Sequence, residues 1–352
     1  MRLTCTISSA ARKSLSKPMS SLAPGHILSG ARWNYRIKEA VEGDNTQIST
    51  GFKAEIIQHE NSLGSPQWAF IKAASPSHAT ATENLERERR SYLIPGVASA
   101  ACFRKLYDVF DNSMGGTGTC IALEWLDTTL AEVKYLPGAL NYAIIQSSLR
   151  AALSSCIVLE NQKFVNTDYK PANILLSGIE TGRVVAKVGD LGLVFPTGDR
   201  FEAQPYSMRA PEVFLGQACT EPSQVWAVAA MLLCWIKPGI LGEWDSPHFL
   251  IDKAWSMAKI KRLFPSWNLP NPDEVEGDML KAAVKSAGRM SLEEPEMRAI
   301  SPLDVELRGV EMPEQLRDLL RLMLIVDPNK RPSASSVLTS REFLAFEKLN
   351  GI

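Results

Sequence analysis

Asp168-Tyr169-Lys170-Pro171-Ala172-Asn173, followed seventeen residues beyond Asn173 by Asp190-Leu191-Gly192, is the stretch on which the reading turns. Phosphoryl transfer requires this set of groups. An Asp orients the attacking hydroxyl and takes its proton late in the reaction, and a Lys neutralises charge on the moving phosphoryl group. An Asn and a second Asp hold Mg2+ against phosphate oxygens, because hard cations prefer oxygen ligands. Each residue alone is ordinary, since a loop Asp is commonly a turn former or helix cap. The ordered combination is specific. Ile174 to Leu176 and Val184 to Val188 predict two short strands around the Thr181-Gly182 turn, which would bring both metal ligands to one edge.

The chain before this stretch has strand character, and the chain after it is helical. Tyr35 to Val41 alternates apolar and polar residues, and Gly51 to Ile57 and Trp68 to Ala73 are short β-prone runs. Thr82 to Leu93 is charged, with Leu85, Arg89 and Tyr92 at helical spacing. Two more strands are expected over Cys102 to Phe110 and Cys120 to Trp125, joined by a Gly-rich hairpin over Asp111 to Thr119. Asn141 to Leu159 reads as a helix with little exposed surface, and Val225 to Trp235 and Pro313 to Ile325 as further helices. A small β-rich lobe followed by a larger helical one is a bilobal α+β fold. The expected divisions are a basic tail over 1–28, an N-lobe over 29–126 and a C-lobe over 127–348.

With these motifs the chain resembles the eukaryotic protein kinases over roughly residues 33 to 346. The resemblance implies ATP and Mg2+ as cofactors, Asp168 and Lys170 as catalytic residues, and Asn173 and Asp190 as metal ligands. Lys72 in Ala69-Phe70-Ile71-Lys72 matches the strand Lys that contacts the α- and β-phosphates, with Glu88, or alternatively Glu86, as its helix partner. Leu123 matches the gatekeeper, and Glu124, Trp125 and Leu126 the hinge whose backbone pairs with adenine. Ala210-Pro211-Glu212 would close the activation segment, with Arg331 as the partner of Glu212. Lys170-Pro171 after the Asp is the Ser/Thr form of the catalytic loop.

The departures from the family pattern are informative. The three glycine positions of the phosphate loop fall on Asp44, Thr46 and Ser49, or on a neighbouring alignment that starts at Gly43. Glycines let backbone approach phosphates closely, so weakened nucleotide affinity is expected here. Asn166-Thr167 replaces the usual His-Arg before the catalytic Asp, which removes the receptor for a phosphorylated activation loop. Gln224 stands where the family has an Asp, and can accept a catalytic-loop hydrogen bond without charge. Thr167, Ser49 with Thr50, Leu191 and Arg209-Ala210-Pro211-Glu212-Val213 resemble the SR-protein kinases of the CMGC group, which are active without activation-loop phosphorylation. Residues 264–302 lie where that group has its insert, with seven acids and three bases between Asp273 and Glu296. In that family an acidic groove docks basic Arg/Ser-rich protein substrates.

Composition bounds the alternatives. The 352 residues are 45% hydrophobic and 22% charged with formal net charge −1, which excludes disordered and histone-like classes. The longest apolar run, Val225 to Ile236, is too short to span a bilayer, so no membrane partner is expected, and no nucleic-acid-binding face is evident. Six cysteines with no C-x-x-C pair fit a reducing intracellular compartment, cytoplasm or nucleus. Residues 1–38 hold seven Lys or Arg and no acid, which reads as a basic tail, with a mitochondrial presequence as the alternative. Two other functions compete with a Ser/Thr protein kinase. One is a pseudokinase scaffold with weakened nucleotide binding. The other is a small-molecule kinase of the aminoglycoside-phosphotransferase type, which the Glu212 and Arg331 pair disfavours.

Overall fold

The computed structural model describes residues 22–41, 49–57, 66–75, 78–110, 120–199 and 203–350. Gly43 and the expected hairpin over 111–119 lie outside these residues.

The N-lobe is one antiparallel sheet of β1 (Ile27–Ser29), β2 (Asn34–Val41), β3 (Thr50–Ile57), β4 (Trp68–Ala73), β5 (Leu106–Phe110) and β6 (Cys120–Glu124), in the order β1-β2-β3-β4-β6-β5. Alternation along β3 buries Phe52, Ala54 and Ile56 in a small core with Tyr35, Ile37, Ala69 and Ile71. The intervening residues of β4, Phe70 and Lys72, therefore face the other side of the sheet. That side carries helix α1 (Ala79–Tyr92), which buries Leu85, Glu88 and Tyr92. The lobe begins earlier than residue 29: Ile27 and Leu28 pair with β2, and Leu22 and Leu28 enter its core.

Only Leu106–Phe110 of the expected strand over Cys102 to Phe110 joins this sheet. A short helix α2 (Pro95–Ser99), with Pro at its first turn, precedes it. Phe103 instead bridges Val188 of the C-lobe, with Arg104 N donating to the Val188 carbonyl at 2.9 Å. Residues 102–104 thus join the two lobes at the back of the cleft.

The chain crosses between lobes over 125–127 and enters β7 (Thr128–Thr129) and the long helix α3 (Ala139–Asn161). Helix α3 is long and apolar enough to cross a membrane, but 56% of its most apolar window is buried inside the lobe. After β8 (Phe164–Asn166), the strands β9 (Ile174–Ser177) and β10 (Val185–Val188) form a hairpin in which Ile174 faces Val188. Then β11 (Val194–Pro196) pairs back on β8.

Helix α4 (Pro211–Phe214) leads to α5 (Glu221–Ile236), the centre of the C-lobe. A Thr220–Ser223 capping box starts α5. It is apolar nearly all round and correspondingly buried, from Ser223 to Leu233 without interruption. Residues 264–302 carry α7 (Asp278–Glu293), which packs against the preceding helix α6 (Asp252–Leu263), and then α8 (Pro295–Arg298). Helices α9 (Leu303–Arg308), α10 (Glu314–Met323), α11 (Ala334–Leu338) and α12 (Arg341–Glu347) close the lobe. The five described cysteines are free thiols.

Candidate active site

Tertiary contacts pin the loop that carries Asp168 from three sides. Thr167 donates to the Leu193 carbonyl through both its backbone N–H and Oγ1, at 3.0 and 2.9 Å. The Tyr169 hydroxyl shares a hydrogen bond with Ser155 Oγ at 2.7 Å, anchoring the loop on α3. The backbone N–H of Asn166 donates to Gln224 Oε1 on the buried helix α5 at 2.8 Å, and Asn166 Oδ1 in turn accepts from Asp168 N at 3.0 Å. Gln224 is fully buried and its Nε2 has no hydrogen-bond partner, so the amide makes one of its bonds and leaves two donors unused.

Asn173 Nδ2 donates to both the backbone carbonyl and Oδ2 of Asp168, each at 2.8 Å. Lys170 Nζ lies 3.3 Å from the same Oδ2. Burial pushes the Asp168 carboxyl above the ordinary carboxylate range, with the Lys170 charge pulling the other way. The β9–β10 register then sets Asn173 beside Gly189, whose N–H donates to the Asn173 carbonyl at 2.9 Å. Asp190 follows immediately, in the left-handed region at φ 50, and accepts from Gly192 N. That conformation is uncommon for a residue with a side chain, and such backbones cluster at functional sites.

The opposite wall comes from the N-lobe. Lys72 Nζ reaches Glu88 Oε2 at 2.7 Å and Asp190 Oδ1 at 3.2 Å, which links sheet, helix α1 and the C-lobe hairpin through one ammonium. Two carboxylates outweigh the penalty of burial and hold the Lys72 pKa above its ordinary value, so it stays charged. Burial alone would raise Asp190, but the Lys72 charge and hydrogen bond overcome it and hold this carboxyl below its ordinary value. Glu86, the alternative partner, instead makes a two-pronged pair with Arg89 on the outer face of α1. Arg87, one charge among many in this helix, donates to the Gly192 carbonyl at 3.1 Å and ties α1 to the Asp190 segment.

The hinge differs from expectation. The Glu124 carboxylate points away to Lys187 Nζ, at 2.6 and 2.7 Å, and its backbone carbonyl already accepts Arg104 Nε at 2.6 Å. Leu126 is buried and Ser49 half-buried just before β3. Beyond the cleft, Arg331 forms a fork with Glu212 at 2.7 and 3.0 Å, both side chains buried.

The protein kinase domain family matches residues 71–343, most of the chain. The chain belongs to the protein kinase domain family. The kinase domain is also 25% identical over 227 residues to "Stress-activated protein kinase JNK" of Drosophila melanogaster, covering 62% of this chain and 57% of that protein. It is 25% identical over 219 residues to "Probable cyclin-dependent kinase 8" of Dictyostelium discoideum, covering 56% and 52% respectively. "Cyclin-dependent kinase-like 2" of Rattus norvegicus is 25% identical over 228 residues, covering 62% and 41%. The alignments thus span about half the length of these curated relatives.

The cation that the family implies is Mg2+, and the donor set fits it. The nitrogen of the Asn173 amide is committed to Asp168, so the atom it offers is Oδ1, on a residue whose backbone pairs with Gly189, the neighbour of Asp190. One carboxylate and one carbonyl oxygen, completed by phosphate and water, are the hard ligands Mg2+ accepts. Among the described residues no cluster of three or more His, Cys, Asp or Glu offers a site of another type.

Proposed function

We propose that the chain is a protein serine/threonine kinase that transfers the γ-phosphoryl group of Mg-ATP to Ser or Thr hydroxyls of proteins. The observation that carries this reading is the unbroken link Glu88–Lys72–Asp190, assembled opposite Asp168, Lys170 and Asn173. Lys72 would hold the α- and β-phosphates, and Asn173 and Asp190 would hold Mg2+, which supplies charge neutralisation at the phosphates when bound. The substrate oxygen forms a bond to the γ-phosphorus while the bond from that phosphorus to the bridging oxygen of ADP breaks. The hydroxyl proton goes to the Asp168 carboxylate, and Lys170 offsets charge on the phosphoryl oxygens.

We also propose that this happens without phosphorylation of the activation segment. In support, Gln204, at φ 67, clamps that segment from within. Its carbonyl accepts Arg209 Nε and Nη2 at 3.0 and 2.8 Å, its Oε1 accepts Ala210 N, and its Nε2 donates to the Ser223 carbonyl. For substrate choice, the acids Asp273, Glu274, Glu276 and Asp278 are exposed ahead of or at the start of α7, which supports docking of basic Arg/Ser-rich segments.

A second reading, a pseudokinase with weak nucleotide binding, is favoured by one observation, the Arg104 bond to the hinge carbonyl of Glu124. Thermal unfolding with and without Mg-ATP, followed by phosphoamino-acid analysis of a labelled Arg-Ser peptide, separates the two. The kinase reading expects stabilisation of about 2.7 kcal/mol at a hundredfold excess over Kd, lost in Asp190→Asn, and label on Ser or Thr. Stabilisation without label in any protein would favour the scaffold, and phosphotyrosine alone would sink the Ser/Thr assignment.

A further inference from the structure

The face of the N-lobe sheet that looks into the cleft is covered between Lys72 and the hinge. Phe70 lies two residues from Lys72 on the same strand and so on the same face. Its ring lies across Gly51, where an added Cβ would sit 2.6 Å from Phe70 Cζ; the glycine is what leaves room for the ring. The Arg104 guanidinium stacks on the ring at 4.3 Å from its centroid while Nε donates to the Glu124 carbonyl at 2.6 Å. Arg104 is itself buried, and the acids around it are Glu88, Glu124 and Asp190. A flat cationic group therefore already does what a purine base would do here: it lies against an aromatic face and donates to the hinge carbonyl.

We propose that Phe70 and Arg104 fill the base end of the nucleotide cleft, so that the donor is held by its phosphates without selection for adenine. The proposal rests on the reading of this cleft as a nucleotide site. A base that enters must turn both side chains aside. It forfeits a cation–ring contact and a charge-assisted hydrogen bond in a place shielded from water, where both are strong. In return it regains one hydrogen bond to the same carbonyl, so little binding energy is left for the base. The phosphate end, with Lys72, Lys170, Asn173 and Asp190, is unaffected by the plug. Phe70 and Arg104 are specificity-determining residues in this account, not catalytic ones.

The test is isothermal titration of the full chain with Mg-ATP, Mg-GTP and Mg-tripolyphosphate. For the wild type, the Kd values for ATP and GTP should agree within about threefold, and tripolyphosphate should follow within about tenfold, or 1.4 kcal/mol. Phe70→Ala/Arg104→Val should bind ATP at least about tenfold more tightly than the wild type does. If the double variant fails to fold, Phe70→Ala alone should show the same direction of change. Wild-type binding of ATP more than about tenfold tighter than GTP and tripolyphosphate would overturn the plug while leaving the kinase reading intact. So would a folded variant with no gain for ATP. Failure of every protein to bind any of the three ligands would instead overturn the nucleotide-site reading, and the plug with it.

Discussion

Replacing Arg331 by Met removes the most completely satisfied charge in the C-lobe. The guanidinium donates two bonds to Glu212 and one each to the carbonyls of Pro222, Ile325 and Val326, at 2.7 to 3.1 Å, and lies over Trp226. Without it, the buried Glu212 carboxylate keeps only Ser223 Oγ, at 2.9 Å. Removing one member of such a pair costs about 3–5 kcal/mol, because the other is left charged and desolvated. For a lobe of about 220 residues the entropy of unfolding is about 0.46 kcal/mol/K, so the melting temperature should fall by about 6–11 °C. Arg331→Met combined with Glu212→Leu should recover most of the loss, since an apolar pair of similar volume is neutral or better by about 1–4 kcal/mol. Thermal unfolding by near-ultraviolet circular dichroism of the two variants measures both numbers. A loss under about 1 kcal/mol for the single variant would show that Glu212 is not left stranded, because the carboxylate would then have found water or another cation. So would a double variant no more stable than the single one.

Other perturbations address the cleft. Gln224→Leu strands the Asn166 N–H in a buried position and should cost about 1–3 kcal/mol, read by denaturant titration. The turnover number should fall with it, because the loop bearing Asp168 loses its tie to α5. For pH dependence, proton transfer needs Asp168 ionised and burial holds its pKa above the ordinary carboxylate value. The rate should therefore decline, as pH is lowered, at a higher pH than for a solvent-exposed Asp, and a pH–rate profile measures this. Lys72→Met should reverse the contribution of Asp190 to stability. In the wild type its depressed pKa gives stability that is present above the unfolded value and lost as pH falls through the folded one. With Lys72 gone, burial dominates and raises the pKa, so ionising Asp190 opposes folding as pH rises. Melting temperatures measured from about pH 3 to pH 7 would show the difference in slope.

The sequence was most legible where chemistry limits the choice of residue. Phosphate, proton and metal leave few alternatives at Asp168, Lys170, Asn173 and Asp190, and the Ile174 and Val188 strands beside them are short apolar runs bounded by turns. The boundaries of β4 and β6 and the existence of α1, α3, α5 and α10 likewise follow from period and propensity. Helix α7 is hard to read because charges recur along it at Asp278, Lys281, Lys285, Arg289 and Glu293 and mask the buried stripe Leu280, Val284, Ala287 and Met290. Ile27 and Leu28 escaped because basic composition outweighed two apolar residues that gain a partner only when β2 is beside them. Arg104 and Phe70 could not be read from their neighbours at all. An Arg within an apparent strand and an aromatic in a β run are ordinary, and only the fold brings one against the other over Gly51. Arg87 and Gln204 are similar, since each acts on backbone carbonyls or amides that sequence spacing does not reveal.

The proposed role of Asp168 is to accept the proton of a protein hydroxyl during phosphoryl transfer. Its most direct test is the initial rate of γ-phosphate transfer from saturating Mg-ATP to a serine in a basic Arg-Ser peptide, for the wild type and for Asp168→Asn. Seryl label is expected from the wild type, with a rate about 10²–10⁴-fold lower in the variant and folding intact by circular dichroism. Equal rates in the two proteins, or a wild type that binds Mg-ATP and labels no protein, would contradict it.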